Sequence, residues 1–179
     1  MKKNIVLGIT GSIAAFKACE LIGRLREKGH SVQCVMTPEA ENFITPLTLE
    51  TLSREKTVRE MFCSSDSRDA AHISLATWAD LILVAPATAD VLGKVAAGIC
   101  DNILICTIAA AGCPVVFAPA MNDKMFNNPI IQEKIEYLKK KEYHFVAPVT
   151  GRLACGSSGI GRLAPLEKIV EIVENILTS

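Results

Sequence analysis

The chain has 179 residues, about half of them apolar, and its 19 basic and 19 acidic side chains give a formal charge of zero. Such a length makes one domain with a sizeable core. The absence of a basic face or tail argues against nucleic acid as the main partner, and no apolar run approaches the ~18 residues of a membrane-crossing helix. There are seven cysteines, an odd number, with no CxxC pair and no ligand-like spacing to His. That usage fits a reducing cytoplasm and argues against disulfides or a structural metal.

Met1-Lys2-Lys3-Asn4 is charged but leads into the short apolar run Ile5–Thr10, which reads as a first buried strand and not as a signal peptide. Gly11-Ser12-Ile13-Ala14-Ala15 opens a helix to about Lys28, with Ala15, Cys19, Ile22 and Leu25 at helical spacing and Gly29 as its C-cap. Ser31–Met36 is strand two, which completes a βαβ unit. The turn Gly8-Ile9-Thr10-Gly11-Ser12 is neither GxGxxG nor a Walker loop. It suits one phosphate better than a pyrophosphate, with Gly11 allowing close approach and Ser12 offering a hydroxyl. A plain tight turn is the competing reading. Thr37 either adds a second hydroxyl to that phosphate or caps the next helix.

Pro46–Leu52 reads as a helix, and Ser53–Ala70 as a polar stretch with Ser64-Ser65-Asp66-Ser67 as a mobile loop. His72 precedes a short helix and is either structural or catalytic. Leu81–Ala85 is a third strand, followed by Pro86-Ala87-Thr88-Ala89-Asp90 at the start of a helix. Thr88 and Asp90 are candidates for ligand contact or for N-caps. Asp101–Ala111 reads as a helix too apolar for a solvated face, suited to packing on another subunit.

Pro114–Ala118 is another buried strand, and Pro119-Ala120-Met121-Asn122-Asp123-Lys124-Met125 follows it. Ligands of open α/β sheets bind past the carboxyl ends of strands, so Asn122 sits either at a ligand mouth or in a turn. Asn128–Lys141 reads as an amphipathic helix, Tyr143–Val146 as a strand, and Gly151–Arg162 as a Gly-rich loop. Pro165–Leu177 closes the chain as a helix. Cys19, Cys34, Cys100, Cys106 and Cys113 lie in apolar runs and read as inert core. Cys155, beside Arg152 on the Gly-rich loop, suits a reactive thiol or proton donor. The alternation of strands and helices gives an α/β fold: a Rossmann-like, flavodoxin-like parallel sheet with helices on both faces, in three layers and one domain over 1–179.

Taken together, Gly11-Ser12-Ile13-Ala14-Ala15, His72-Ile73 with Trp78-Ala79-Asp80, Pro86–Asp90, Pro119–Asn122 with Met125, and Leu153-Ala154-Cys155-Gly156 with Gly161 resemble the homo-oligomeric flavin-containing cysteine decarboxylases. The branch acting on 4′-phosphopantothenoylcysteine is the most similar, and the resemblance covers nearly the whole chain. Thr88 and Asp90 stand where the family often has Ser and Asn, which leaves any amide contact of position 90 to flavin in doubt. Phe126 stands where the family often has Trp.

The resemblance implies FMN-dependent oxidative decarboxylation to 4′-phosphopantetheine in coenzyme A biosynthesis. It implies His72 as base, Asn122 on the substrate carboxylate, and Cys155 as proton donor. Met125 and Arg152 would add substrate contacts. FMN would touch Gly11, Ser12, Ile13, Thr37, Thr88, Ala89, Asp90 and Ala120, in a trimer or trimer-based dodecamer with flavin at the subunit interface. The synthetase domain often joined to this one is not part of the sequence. A peptidyl-cysteine decarboxylase shares the His, the Asn and the flavin. A flavin prenyltransferase shares the sheet but lacks the pair of motifs around Asn122 and Cys155, and a non-catalytic flavin-binding regulator would not need all three catalytic residues.

Overall fold

The structure, a computed structural model, describes residues 2–61, 70–154, 156 and 158–179. The expected mobile loop Ser64–Ser67 and the candidate thiol Cys155 lie outside the described residues.

Strands β1 (Asn4–Ile9), β2 (Ser31–Met36), β3 (Leu81–Ala87), β4 (Val115–Pro119) and β5 (His144–Phe145) form a sheet in the order β2-β1-β3-β4-β5. Every pairing is parallel, and β1 pairs along its whole length with β2, from Asn4 opposite Ser31 to Ile9 opposite Met36. This is the flavodoxin-like order, in which the chain leaves β1 to opposite sides of the sheet.

Side chains alternate across the sheet with the strand period of two, and both faces are apolar. Ile5, Leu7, Ile9, Leu81, Leu83 and Val116 point to one core. There they meet α1 (Ala18–Glu27), α2 (Pro46–Ser53) and α8 (Leu166–Thr178) through Leu21, Ile22, Leu25, Leu49, Ile169 and Val173. Val6, Ile82, Val84, Val115 and Phe117 point to the other. Here they meet α3 (Ala71–Trp78), α4 (Ala89–Ala97), α5 (Ile103–Ala109) and α7 (Pro129–Lys140). Each fully buried Leu, Ile or Phe contributes roughly 1.5–3 kcal/mol, so both cores are needed to hold the strand ends in register.

Four sequence-based expectations change. The first helix is divided, with a 3-10 segment over Ile13–Lys17 before α1. β3 runs on to Ala87 through a cis Ala85–Pro86 bond, so α4 begins only at Ala89. The apolar segment Asp101–Ala111 needs no second subunit to cover it: Ile103, Leu104, Ile105 and Ile108 of α5 are buried in this chain's own core. Leu104 lies so close to the sheet that a side chain on Gly8 would begin 2.6 Å from it. Finally, the Gly-rich loop is an antiparallel hairpin of β6 (Val149–Arg152) and β7 (Ser158–Arg162). Its glycines hid the strand pattern, because they carry no side chain to alternate.

The cysteines also separate. Of the five described cysteines, only Cys34 is buried; Cys19, Cys106 and Cys113 are half-buried and Cys100 is exposed, which corrects the reading of all five as core. Burial pushes the Cys34 thiol up to about 12, and burial is also the largest cause of the upward shifts at Cys19, Cys106 and Cys113. These four thiols stay neutral near pH 7 and are poor nucleophiles.

Candidate active site

The carboxyl ends of β1, β2, β3 and β4 are joined by a small set of hydrogen bonds. The fully buried Thr10 hydroxyl donates to the Pro86 carbonyl at 2.7 Å and accepts from the Thr88 amide at 3.2 Å. Thr37 N–H donates to the Ile9 carbonyl at 3.0 Å, and Ala120 N–H donates to the Ala87 carbonyl at 3.1 Å. A buried hydroxyl that makes two bonds has its desolvation compensated, so Thr10 fixes the β1 and β3 loops to each other. Thr10 carries no signal in the sequence beyond its place at a strand end.

Around these ends lies a cavity of about 370 Å³. It is lined by Gly11, Ser12, Thr37, Thr88, Ala89, Asp90 and Ala120, together with Met125. Seven of the eight positions expected to touch a cofactor thus share one cleft at the sheet's switch point, where such folds bind ligands. Ser12 and Thr88 also cap: their hydroxyls accept from Ala14 N–H at 3.3 Å and Val91 N–H at 3.4 Å. Gly11 is required by close approach, since a side chain there would begin 2.5 Å from Cβ of Glu39.

Thr37 resolves differently. It starts the 3-10 segment Pro38–Asn42 without a side-chain capping bond. The residue is 2% exposed, and its hydroxyl has no hydrogen-bond partner among the described residues. Capping therefore does not account for it. A buried hydroxyl without a partner, beside a cavity, is a place for a ligand acceptor.

Asp90 is engaged along its own helix. Its carboxylate lies 3.1 Å from Lys94 Nζ, which also contacts Asp101 at 2.9 Å. Hydrogen bonding to Asp101 first, and to Asp90 second, holds Lys94 above the ordinary ammonium range.

A second cavity, of about 590 Å³, opens beside the first, and Ser12, Ala120 and Met121 line both. It receives Ile13, the eighth cofactor candidate, with Asn122 and Arg152. Lys17 and Arg162 line it as well, two residues that sequence reasoning passed over. Asn122 caps the short α6 (Asp123–Phe126), its amide oxygen accepting from Lys124 N–H at 2.9 Å. Asn122 therefore caps a turn and also lines the cavity.

The hairpin forms one wall of this cavity. Met121 N–H donates to the Gly161 carbonyl at 2.9 Å. Gly161 has φ +140, and a side chain there would begin 2.2 Å from the Met121 carbonyl oxygen. A side chain at Gly159 would begin 2.6 Å from Cβ of Asp123. These two glycines let β7 lie directly against Met121–Asp123, and Gly161 also takes a backbone conformation that other residues rarely adopt. The connection from β6 to β7 is the stretch of sequence that carries Cys155.

His72 stands apart. It is the second residue of α3, lines neither cavity, and its Nδ1 is buried without a hydrogen-bond partner among the described residues. One chain therefore gathers Asn122 and Arg152 in one cavity and Met125 in the other, but does not bring His72 to them. No group of three His, Cys, Asp or Glu among the described residues could hold a metal ion.

A family model described as Flavoprotein matches residues 1–178. The chain belongs to the Flavoprotein family. It is 44% identical over 172 residues to the coenzyme A biosynthesis bifunctional protein CoaBC of Bacillus subtilis, covering 96% of this chain and 42% of that protein. The chain thus spans less than half the length of the bifunctional relatives it matches. It is 43% identical to a probable phosphopantothenoylcysteine decarboxylase of Streptococcus mutans, covering 99% of this chain and all of that protein. A PPC decarboxylase mutant solved with pantothenoylaminoethenethiol superposes with a TM-score of 0.89, at 31% identity over the whole of both chains. The FMN-dependent cysteine decarboxylase SpaF superposes at 0.84, with 28% identity over 98% of this chain and 95% of that one.

Proposed function

We propose that this chain is a phosphopantothenoylcysteine decarboxylase that uses FMN, acting as one domain over 1–179 in the cytoplasm. The observation that carries the reading is the junction of two cavities through Ser12, Ala120 and Met121. One offers hydroxyls and small residues to a phosphorylated flat cofactor. The other offers Asn122 and cationic side chains to an anionic substrate. The named relative of full length and the decarboxylase fold support the same assignment.

The residues present fit FMN. The Thr37 hydroxyl has no partner among the described residues, and with Ser12 it suits a single phosphate. When bound, oxidised FMN supplies a reversible two-electron acceptor, which makes the carbon bearing sulfur an electron sink for decarboxylation. The protein's part is position and proton transfer. Asn122 orients the substrate carboxylate toward loss, His72 accepts a proton as the first half begins, and Cys155 returns one to the product carbon. Arg152 and Met125 frame the substrate.

His72 lies away from both cavities, so we also propose that the working site is shared between chains. A closed trimer, alone or within a dodecamer, brings His72 of one copy to Asn122 of the next. A peptidyl-cysteine decarboxylase would have less use for the cations of the second cavity.

The test is purified chain incubated with 4′-phosphopantothenoylcysteine. The expected result is equal amounts of carbon dioxide and 4′-phosphopantetheine from a yellow protein that releases FMN on denaturation. Release of FAD, or absence of carbon dioxide with flavin bound, overturns the reading.

Thr37→Val gives a narrower check. Valine keeps the shape and removes the hydroxyl. A hydrogen bond to a charged group is worth about 1.5–3 kcal/mol, so FMN affinity should fall roughly ten- to a hundredfold. Riboflavin, which lacks the phosphate, should bind both proteins alike in a fluorescence titration of the apoprotein.

A further inference from the structure

The second cavity is chemically one-sided. Lys17, Arg152 and Arg162 line it, and no carboxylate does among the described residues. Some described cations elsewhere are paired: Arg24 lies 2.6 Å from Glu20 and 2.7 Å from Glu167, and Lys94 bridges Asp90 and Asp101. No salt bridge to Lys17, Arg152 or Arg162 occurs among the described residues.

Lys17 and Arg162 reach the cavity from different elements. Lys17 ends the 3-10 segment after β1, and Arg162 ends β7. Arg162 is laid back over the hairpin: its Cδ and Nη1 lie 3.4 Å from where a side chain on Gly151 would begin. The Lys17 ammonium is held below its ordinary range by partial burial first and by the charge of Arg162 second, with Glu20 acting the other way. Lys17, half-buried, and Arg162, exposed, thus bring two like charges to the lining of one cavity. An anion bound between them relieves their repulsion. A phosphomonoester is the best match, because a guanidinium binds two of its oxygens side by side and an ammonium takes a third.

On the reading above, three anionic groups enter the site. Asn122 takes the substrate carboxylate, and the hydroxyls of Ser12 and Thr37 take the cofactor phosphate in the first cavity. The substrate's terminal phosphate is left, and Lys17 and Arg162 are left to meet it. We propose that Lys17 and Arg162 together seat this phosphomonoester and set the preference for phosphorylated over unphosphorylated pantothenoyl chains. The inference rests on the proposed decarboxylase activity.

The experiment uses holoenzyme, Lys17→Gln, Arg162→Gln and, as a charge control, Lys140→Gln, a residue of α7 that lines neither cavity. Decarboxylation of 4′-phosphopantothenoylcysteine is compared with that of pantothenoylcysteine. Calorimetry compares binding of 4′-phosphopantetheine with pantetheine. Each seat variant should lower the kcat/KM preference for the phosphorylated substrate by about tenfold or more, mainly through KM. Lys140→Gln should leave that preference as it is. A preference unchanged in both seat variants, including the case in which activity falls equally on both substrates, overturns the seat. Holoenzyme that decarboxylates neither substrate would instead sink the catalytic reading, and binding then decides the seat. Weaker 4′-phosphopantetheine binding by Lys17→Gln and Arg162→Gln supports it, and equal binding by all the proteins overturns it.

Discussion

Replacing His72 with asparagine is expected to stop the reaction before carbon dioxide is lost. Asparagine keeps a polar side chain of similar reach but cannot take up a proton near pH 7. Positioned proton transfer supplies ~10²–10⁴-fold in rate, and turnover should fall by that order. The flavin should stay yellow after substrate is added, because the first half never begins. The fold should persist, since Nδ1 of His72 bonds nothing among the described residues and α3 is held by Leu75 and Ala76. The same variant tests the shared site. Mixed with an Asn122→Ala chain under conditions that exchange subunits, it should regain activity, because about a quarter of randomly formed two-chain sites would carry both intact residues. No recovery on mixing, with exchange shown by mass, would place both residues in one chain's site.

Most of the sheet could be read from the sequence because its strands are buried on both faces. Ile5–Thr10, Leu81–Ala85 and Pro114–Ala118 are largely apolar runs bounded by Gly, Thr or Pro, Ser31–Met36 alternates more, and each became a strand within a residue or two. The cleft at the strand ends was legible for the same reason, since ligands collect where such strands end. What failed were features set by partners distant in sequence. The character of α5 suggested a subunit contact, yet Gly8 opens the space that Leu104 fills in this chain. The hairpin of β6 and β7 was invisible because Gly151, Gly159 and Gly161 erase the alternation that marks a strand. Thr10, Lys17 and Arg162 were missed because their roles come from the Pro86 carbonyl and from a cavity wall, neither of which leaves a local pattern. The place of Asn122 at a cavity wall was legible because its motif follows directly on a strand end.

Cys155→Ser is expected to divide the reaction at its midpoint. Serine is close to cysteine in shape but a far weaker acid, so the change tests proton donation more than packing. If Cys155 delivers only the final proton, the variant should still bind FMN and oxidise the substrate. It should release about one carbon dioxide per site and then stall, because protonation of the product carbon fails. The observable state is a bleached protein holding an unsaturated thiol product, identified by mass after denaturation. Continued turnover should be lower by ~10²-fold or more. The neighbouring structure gives a reason for such dependence on one residue. Gly159 and Gly161 bring β7 against Met121–Asp123, so the strand that follows Cys155 in sequence packs on the loop proposed to hold the substrate carboxylate. Should Cys155→Ser instead make 4′-phosphopantetheine at a near-normal rate, Cys155 leaves the mechanism and the proton must come from water or from another side chain in the cavity.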